Sequence, residues 1–376
     1  MPAPPTNRSR LILLLGVTAS GKSSVALELA GELDAEIVSV DSMQVYRRMD
    51  IGTAKPTESE RHRVPHHLMD VAEPSESFSV ARFVEMADAA IAEIAAYRSE
   101  TGATTRRPAA TKLWHGRPAC GSTGETPMPQ GTSRGAKNLN VSSTGGDIGS
   151  AGHEARARRG RLPLVLAGTP LYLMGLMYGM FDGPSADEAI RAELRRRADD
   201  EGLASLHAEL VRVDPAAARR IHVNDYKRIE RALEVYRLTG KPLSEQQAQW
   251  SAEQMRYPAT VVGIRREKED ASRRINARVK AMIQAGLVEE VRSLLAETPG
   301  PSEQARQALG YAQIIDHLEG RMSLADAVEQ IKIQTRRLAK HQRTWFRKFQ
   351  TTRWLDVGSD ESESSICRRL VQLIAL

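Results

Sequence analysis

Residues 16–23 read Gly-Val-Thr-Ala-Ser-Gly-Lys-Ser, and their place in the chain constrains the fold more than any other feature. Directly before them stands the apolar run Leu11–Leu15. Directly after them, Lys22 to about Leu33 has the pattern of a helix, and a second apolar run, Ile37-Val-Ser-Val40, follows. Strand, tight loop, helix and strand in that order form a parallel crossover, and two strands apolar almost throughout must be covered on both faces. The loop also carries chemistry. Its glycines let the backbone wrap around an anion, successive N–H groups and the helix N-terminus point at it, and Lys22 adds a full charge. Gly16, Val17, Thr18, Ala19, Ser20, Gly21, Lys22 and Ser23 are therefore the candidate phosphate or diphosphate site, with the Ser23 hydroxyl as the candidate ligand for Mg²⁺.

Further strand patterns occur at Leu164–Ala167, Thr260–Ile264 and Trp354-Leu355, separated by helical stretches, which predicts an α/β doubly wound parallel sheet. The expected core spans residues 8–184 and resumes over 258–376 with basic C-terminal helices. Residues 185–257 are continuously helical and charged and read as an inserted helical subdomain. From about 98 to 160 the chain is poor in large apolar residues and is expected to be a disordered insertion. The uncharged run Leu162–Phe181 has the length of a membrane span, but Pro163 and Gly168-Thr-Pro170 divide it into a strand and a helix, so no membrane association is expected. Two cysteines, Cys120 and Cys367, are too few for a disulfide framework, and the five apolar residues after Arg10 are too short for a signal-peptide core. A cytoplasmic monomer is the expectation.

Charge is unevenly placed. The chain carries 53 basic and 47 acidic residues, an excess of 6, and residues 101–160 alone contain nine Lys and Arg against three Asp and Glu. Any argument for nucleic acid must therefore rest on local clusters. Two are present. Arg336, Lys340, Arg343 and Arg347 follow helical spacing in a stretch with no acid, with Leu338, Trp345 and Phe349 expected on the opposite, buried face. Lys227, Arg228 and Arg231 form the second, at the start of a helix after His222-Val-Asn-Asp225.

Asp41 ends the second strand on the rim where open α/β sheets place their chemistry, and its carboxylate can act there as a general base or as a Mg²⁺ ligand. His62, His66, His67 and Asp70 resemble a ligand set, but Pro65 breaks the helical spacing, and structural roles are expected. Met174, Met177 and Met180 read as core packing. A phosphate loop by itself also serves nucleotide or small-metabolite kinases that bind ATP, and RNA-binding NTP switches, so the loop alone leaves these open.

Longer motifs narrow the choice. Beside the loop at 16–23, the chain has Ser39-Val-Asp-Ser-Met-Gln-Val-Tyr46, Met49-Asp-Ile-Gly-Thr-Ala-Lys-Pro56, Val64-Pro-His-His67 and Ala167-Gly-Thr-Pro-Leu-Tyr172. Arg220-Ile-His-Val-Asn-Asp225, Arg228-Ile-Glu-Arg231, Leu309-Gly-Tyr311 and Thr335-Arg-Arg-Leu-Ala-Lys340 with Trp345 follow in order. Over Arg10–Tyr97 and Arg161–Arg347 the chain thereby resembles the tRNA dimethylallyltransferase (tRNA isopentenyltransferase) family in its bacterial form. Val17, Ser23 and Ala167 depart mildly from that pattern, and the zinc-finger cysteines of eukaryotic forms are absent.

The resemblance implies a P-loop NTPase-like fold and transfer of a dimethylallyl group from dimethylallyl diphosphate to N6 of the adenine 3′ of the anticodon, with Mg²⁺ and the tRNA anticodon stem-loop as partners. It implies catalytic roles for Asp41, Thr18 and Lys22. It further implies tRNA contacts at Asp41, Ser42, Met43, Gln44, Thr169, Arg191, Lys227, Arg228, Arg231, Gln307, Gly310, Tyr311, Lys340, Arg343 and Arg347.

Overall fold

Six parallel strands form one sheet: β1 (Leu11–Gly16), β2 (Ala35–Val40), β3 (His66–His67), β4 (Leu162–Ala167), β5 (Ala259–Arg265) and β6 (Arg353–Asp356), in the spatial order β3-β2-β4-β1-β5-β6. The computed structural model describes residues 10–96, 161–179, 183–246 and 255–375. The expected insertion at about 98–160 lies outside them.

The pleat explains why the strands are apolar throughout. Leu11, Leu13 and Leu15 of β1 point into one core with Val38, Val165 and Val261, while Ile12 and Leu14 point into the other with Ile37, Leu164 and Val262. The helices Lys22–Leu33 and Glu363–Ala375 contribute to the second core. Val80–Ala96, Pro170–Tyr178, Lys268–Gln284 and Leu324–Phe346 contribute to the first. Leu13 pairs with Val165 on one side and Val261 on the other, so β1 is central and its carboxyl end lies between those of β4 and β5. Between β1 and β2, successive in sequence, lies β4, and β5 continues on the far side of β1. That reversal opens a crevice at the carboxyl end of β1.

The uncharged stretch that has the length of a membrane span is β4 followed by Pro170–Tyr178, with Met174 and Met177 in the core. No helix among the described residues is long and apolar enough to cross a membrane. Met180 lies outside the described residues.

The helices Glu188–Glu201, Leu203–Val213, Pro215–Ala218, Tyr226–Thr239 and Leu243–Gln246 share a separate apolar cluster around Leu194, Leu206, Leu210, Ile229 and Leu233. Their ends are chemically marked. Asp187 and Asp214 cap helix starts by accepting from the backbone N–H groups of Ile190 (3.0 Å) and Ala217 (2.9 Å), and Gly240 ends Tyr226–Thr239 at φ +68°.

One reading of the C-terminal helix needs correction. Leu324–Phe346 buries Ala327, Ile331, Thr335, Ala339, Gln342 and Phe346, whereas Leu338 is exposed and Trp345 is only partly covered, under the Lys348 ammonium. Phe349 alone of the expected apolar face is buried. Two members of the buried stripe, Thr335 and Gln342, are polar, so apolar periodicity does not display it.

Candidate active site

The carboxyl end of β1 runs into the loop at 16–23, which takes two left-handed turns, at Ala19 (φ +62°) and Gly21 (φ +88°). A left-handed alanine is uncommon and is retained where the surroundings dictate it. At Gly16 a side chain is excluded by contact, since a Cβ would stand 2.6 Å from Ser20 Oγ. Ser20 is fully buried, and its hydroxyl has no protein partner. Lys22–Leu33 starts without a side-chain cap, so its first N–H groups remain open to an anion. Burial, and then the Arg278 guanidinium, bring the Lys22 ammonium down to about 8, against the opposing pull of Asp41. Ser23 is exposed on the first turn of the same helix.

The ends of β2 and β4 form the facing shelf. Asp41 Oδ1 accepts from the amides of Met43 (2.9 Å) and Gln44 (3.3 Å), which bends the chain away from β2. Gly168 lets the carboxylate sit there, because a Cβ at that position would lie 2.7 Å from Asp41 Oδ2. The Ser42 amide donates to Thr169 Oγ1 (2.9 Å), and Gln44 accepts from Ser39 Oγ (2.9 Å) while donating to the Thr53 carbonyl (3.1 Å). Thus Asp41, Ser42, Met43, Gln44 and Thr169, distant in sequence, form one hydrogen-bonded edge.

Four site residues were missed from sequence. Arg266 Nε donates to the Ser20 carbonyl (2.8 Å), Arg274 Nε to the Ala19 carbonyl (3.1 Å), and Arg278 Nη1 to Thr18 Oγ1 (3.4 Å). Gln342 reaches both the Thr18 amide and the Gly168 carbonyl. A signal for the arginines existed: β5 was legible, its carboxyl end belongs on the catalytic rim, and Arg274 and Arg278 recur at helical spacing just beyond it. Arg266 is tied to Asp270 (3.2 Å), but Arg274 and Arg278 have no carboxylate within 4 Å among the described residues.

The remaining candidates make no hydrogen bond to Asp41, Ser42, Met43, Gln44 or Thr169 among the described residues, and each has its own partners or exposure. Arg191 and Arg231 both bind the buried Glu234 carboxylate, at 2.8 and 2.6 Å. Lys227 Nζ donates to Gln307 Oε1 (3.0 Å), and Arg228 pairs with Asp225 (2.8 Å). Tyr311 is buried and donates to Glu290 Oε1 (2.6 Å), a carboxylate that also takes the amides of Asp50 (3.0 Å) and Ile51 (2.8 Å), while Gly310 has φ +95° before it. Lys340 and Arg347 are exposed, and Arg343 lines a cleft of about 250 Å³ with Arg265, Arg266 and Lys268. His62 and His66 engage backbone carbonyls (2.8 Å each), and His67 engages Glu36 (2.6 Å).

Comparison with known proteins identifies the family. The IPP transferase model matches residues 44–101 and 148–349, and the Isopentenyl transferase model matches residues 9–72. A tRNA dimethylallyltransferase of Geobacter metallireducens is 40% identical over 349 residues, covering 93% of each chain. One from Geobacillus kaustophilus is 37% identical, covering 93% of this chain and 90% of the relative. The solved structure of the Bacillus halodurans tRNA isopentenylpyrophosphate transferase is 33% identical, covers 98% of this chain and 97% of its own, and superposes with a TM-score of 0.57. Its phosphate loop, its parallel sheet and these matches along most of its length place the chain in the tRNA dimethylallyltransferase family, with that family's P-loop NTPase-like fold.

Proposed function

We propose that this protein transfers a dimethylallyl group from dimethylallyl diphosphate to N6 of the adenine 3′ of the anticodon in tRNA. The observation that carries the reading is a juxtaposition at the carboxyl edge of the sheet, across the end of β4. A phosphate loop with Arg274 and Arg278 donating to it faces a carboxylate, Asp41, held in place by its own loop amides. An exocyclic adenine amine is a weak nucleophile, so the reaction needs positive charge behind the leaving group and a base beside the amine. As the bond from N6 to the allylic carbon forms, the bond from that carbon to the diphosphate oxygen breaks. The N6 proton passes to Asp41, and the diphosphate leaves with the electron pair.

The loop fits the diphosphate. Ser20 has a buried hydroxyl without a partner, the helix amides are open, and Lys22, Arg274 and Arg278 supply cations. Thr18 is fixed in the loop through both its amide and its hydroxyl. The residues also fit Mg²⁺, a hard ion that prefers oxygen ligands and keeps several waters, with Ser23 as its protein ligand. When bound, the ion neutralises charge developing on the diphosphate. The adenine must leave its stack to reach Asp41. Lys340, Arg343 and Arg347 are suited to the phosphates of the anticodon stem-loop.

The test is Asp41→Asn, which keeps shape and removes the basic oxygen. Single-turnover prenyl transfer should fall by about 10² to 10⁴, with affinity for dimethylallyl diphosphate retained. Weakened diphosphate binding that higher Mg²⁺ restores would reassign Asp41 to the metal, and near-normal turnover would remove it from the mechanism.

A further inference from the structure

We infer that Gln342 is a positioning residue, a strut that sets the separation between the diphosphate loop and the Asp41 edge. Its side chain is 3% exposed on the buried stripe of Leu324–Phe346. Gln342 Oε1 accepts from the Thr18 N–H (2.8 Å), and Nε2 donates to the Gly168 carbonyl (2.6 Å). The two partners fix the amide orientation, because one offers only a donor and the other only an acceptor. A single planar group thus joins the turn after β1 to the turn after β4. Each turn carries one half of the proposed reaction. Thr18 belongs to the loop that grips the leaving group, and Gly168 abuts Asp41 Oδ2 and precedes Thr169, which holds the Ser42 amide.

Helix, loop and edge could have packed through apolar contact alone. A buried amide spanning two backbone groups instead restricts distance and direction together, which apolar contact does not. Displacement transfer demands that restriction, because the nucleophile, carbon and leaving oxygen must be in line, and a misplacement of about 1 Å can cost about 10²-fold. Gln342 touches neither reactant in this reading. It acts through Thr18 and Gly168.

The inference rests on the functional reading above, and two substitutions test it. Gln342→Leu keeps the volume and removes both bonds; Gln342→Glu keeps the acceptor for Thr18 and removes the donor to Gly168. In steady-state prenyl transfer with the full-length protein, Gln342→Leu should lower kcat by about 10- to 100-fold while KM for tRNA stays within about twofold, since the RNA-facing cations are untouched. Gln342→Glu should lower kcat by at least about fivefold, yet retain slow hydrogen exchange at the Thr18 amide, followed by NMR, which Gln342→Leu should lose. A purely structural residue would not separate kcat from KM or split the two variants by exchange. A folded Gln342→Leu protein with kcat within about threefold of wild type overturns the assignment, as does a loss of kcat that only tracks loss of native protein in a thermal melt. If Gln342→Leu does not fold, Gln342→Glu decides by the same kcat criterion. Wild-type protein without prenyl transfer would instead overturn the functional reading itself.

Discussion

Arginine is used in opposite ways in the helical region at 183–246 and at the rim of the sheet. In the helical region Arg191, Arg197, Arg231 and Arg237 each meet a carboxylate, at 2.8, 2.7, 2.6 and 2.9 Å. At the rim, Arg274 and Arg278 donate to backbone and hydroxyl oxygens of the phosphate loop and press on each other electrostatically. Paired arginines shape a surface without leaving a field. Unpaired ones, half-covered and close to Lys22, concentrate positive potential in a crevice, and the repulsion is relieved when an anion enters. Two half-covered arginines held against a phosphate loop without an acid, in contrast to the half-covered arginines of the helical region, mark the site.

The comparison breaks if the rim arginines prove structural. Replacing Arg274 and Arg278 together by Gln should weaken dimethylallyl diphosphate binding by at least about 100-fold, as two charge-assisted hydrogen bonds are lost. The melting temperature should hold or rise. A fall in melting temperature with intact affinity, measured by calorimetry, would contradict it.

The mirror experiment is Glu234→Gln, which should destabilise the fold by about 2 kcal/mol and leave diphosphate affinity unchanged. Its pH dependence sharpens the point. Burial alone would raise the Glu234 carboxyl, but hydrogen bonds from Arg191 and Arg231 and from the Asp187 amide hold it below its ordinary 4.5. The depressed folded value means that this contribution is fully present above pH 4.5 and is lost as pH falls through the lower folded value. Denaturant unfolding of wild type and variant should therefore converge as the pH is lowered below that point.

The smallest effect belongs to the exposed cations. Neutralising Arg336, Lys340, Arg343 and Arg347 should reduce the slope of log affinity for tRNA against log salt by about one per lost phosphate contact. Diphosphate affinity should be unaltered. Arg336 donates to Asn276 (2.7 Å), so its share of the slope should be the least. An unchanged slope would make the ridge an ordinary solvated face.

Much of this protein was legible in one dimension. The apolar runs at β1, β2, β4 and β5 announced a covered parallel sheet, because strands buried on both faces need no polar alternation. The loop at 16–23 announced its ligand class, because a backbone cradle needs glycines and a cation at fixed local spacing. Such features are local, and a sequence displays local features directly. Asp41 was legible for a related reason, standing directly after the last residue of a recognisable strand.

Other features were decided only when the chain closed. That β4 lies between β2 and β1 brings Gly168 against Asp41, two residues no local pattern connects. Which arginines would be neutralised depended on which carboxylates folding brought within reach: Glu234 found Arg191 and Arg231, and no acid among the described residues reached Arg274 or Arg278. Gln342 shows the limit most plainly. On paper it is a polar residue in a basic helix, and it becomes a strut because the sheet sets the ends of β1 and β4 side by side beneath it. Periodicity records which face of a helix is buried, but what a buried polar group bonds to is a property of the assembled chain.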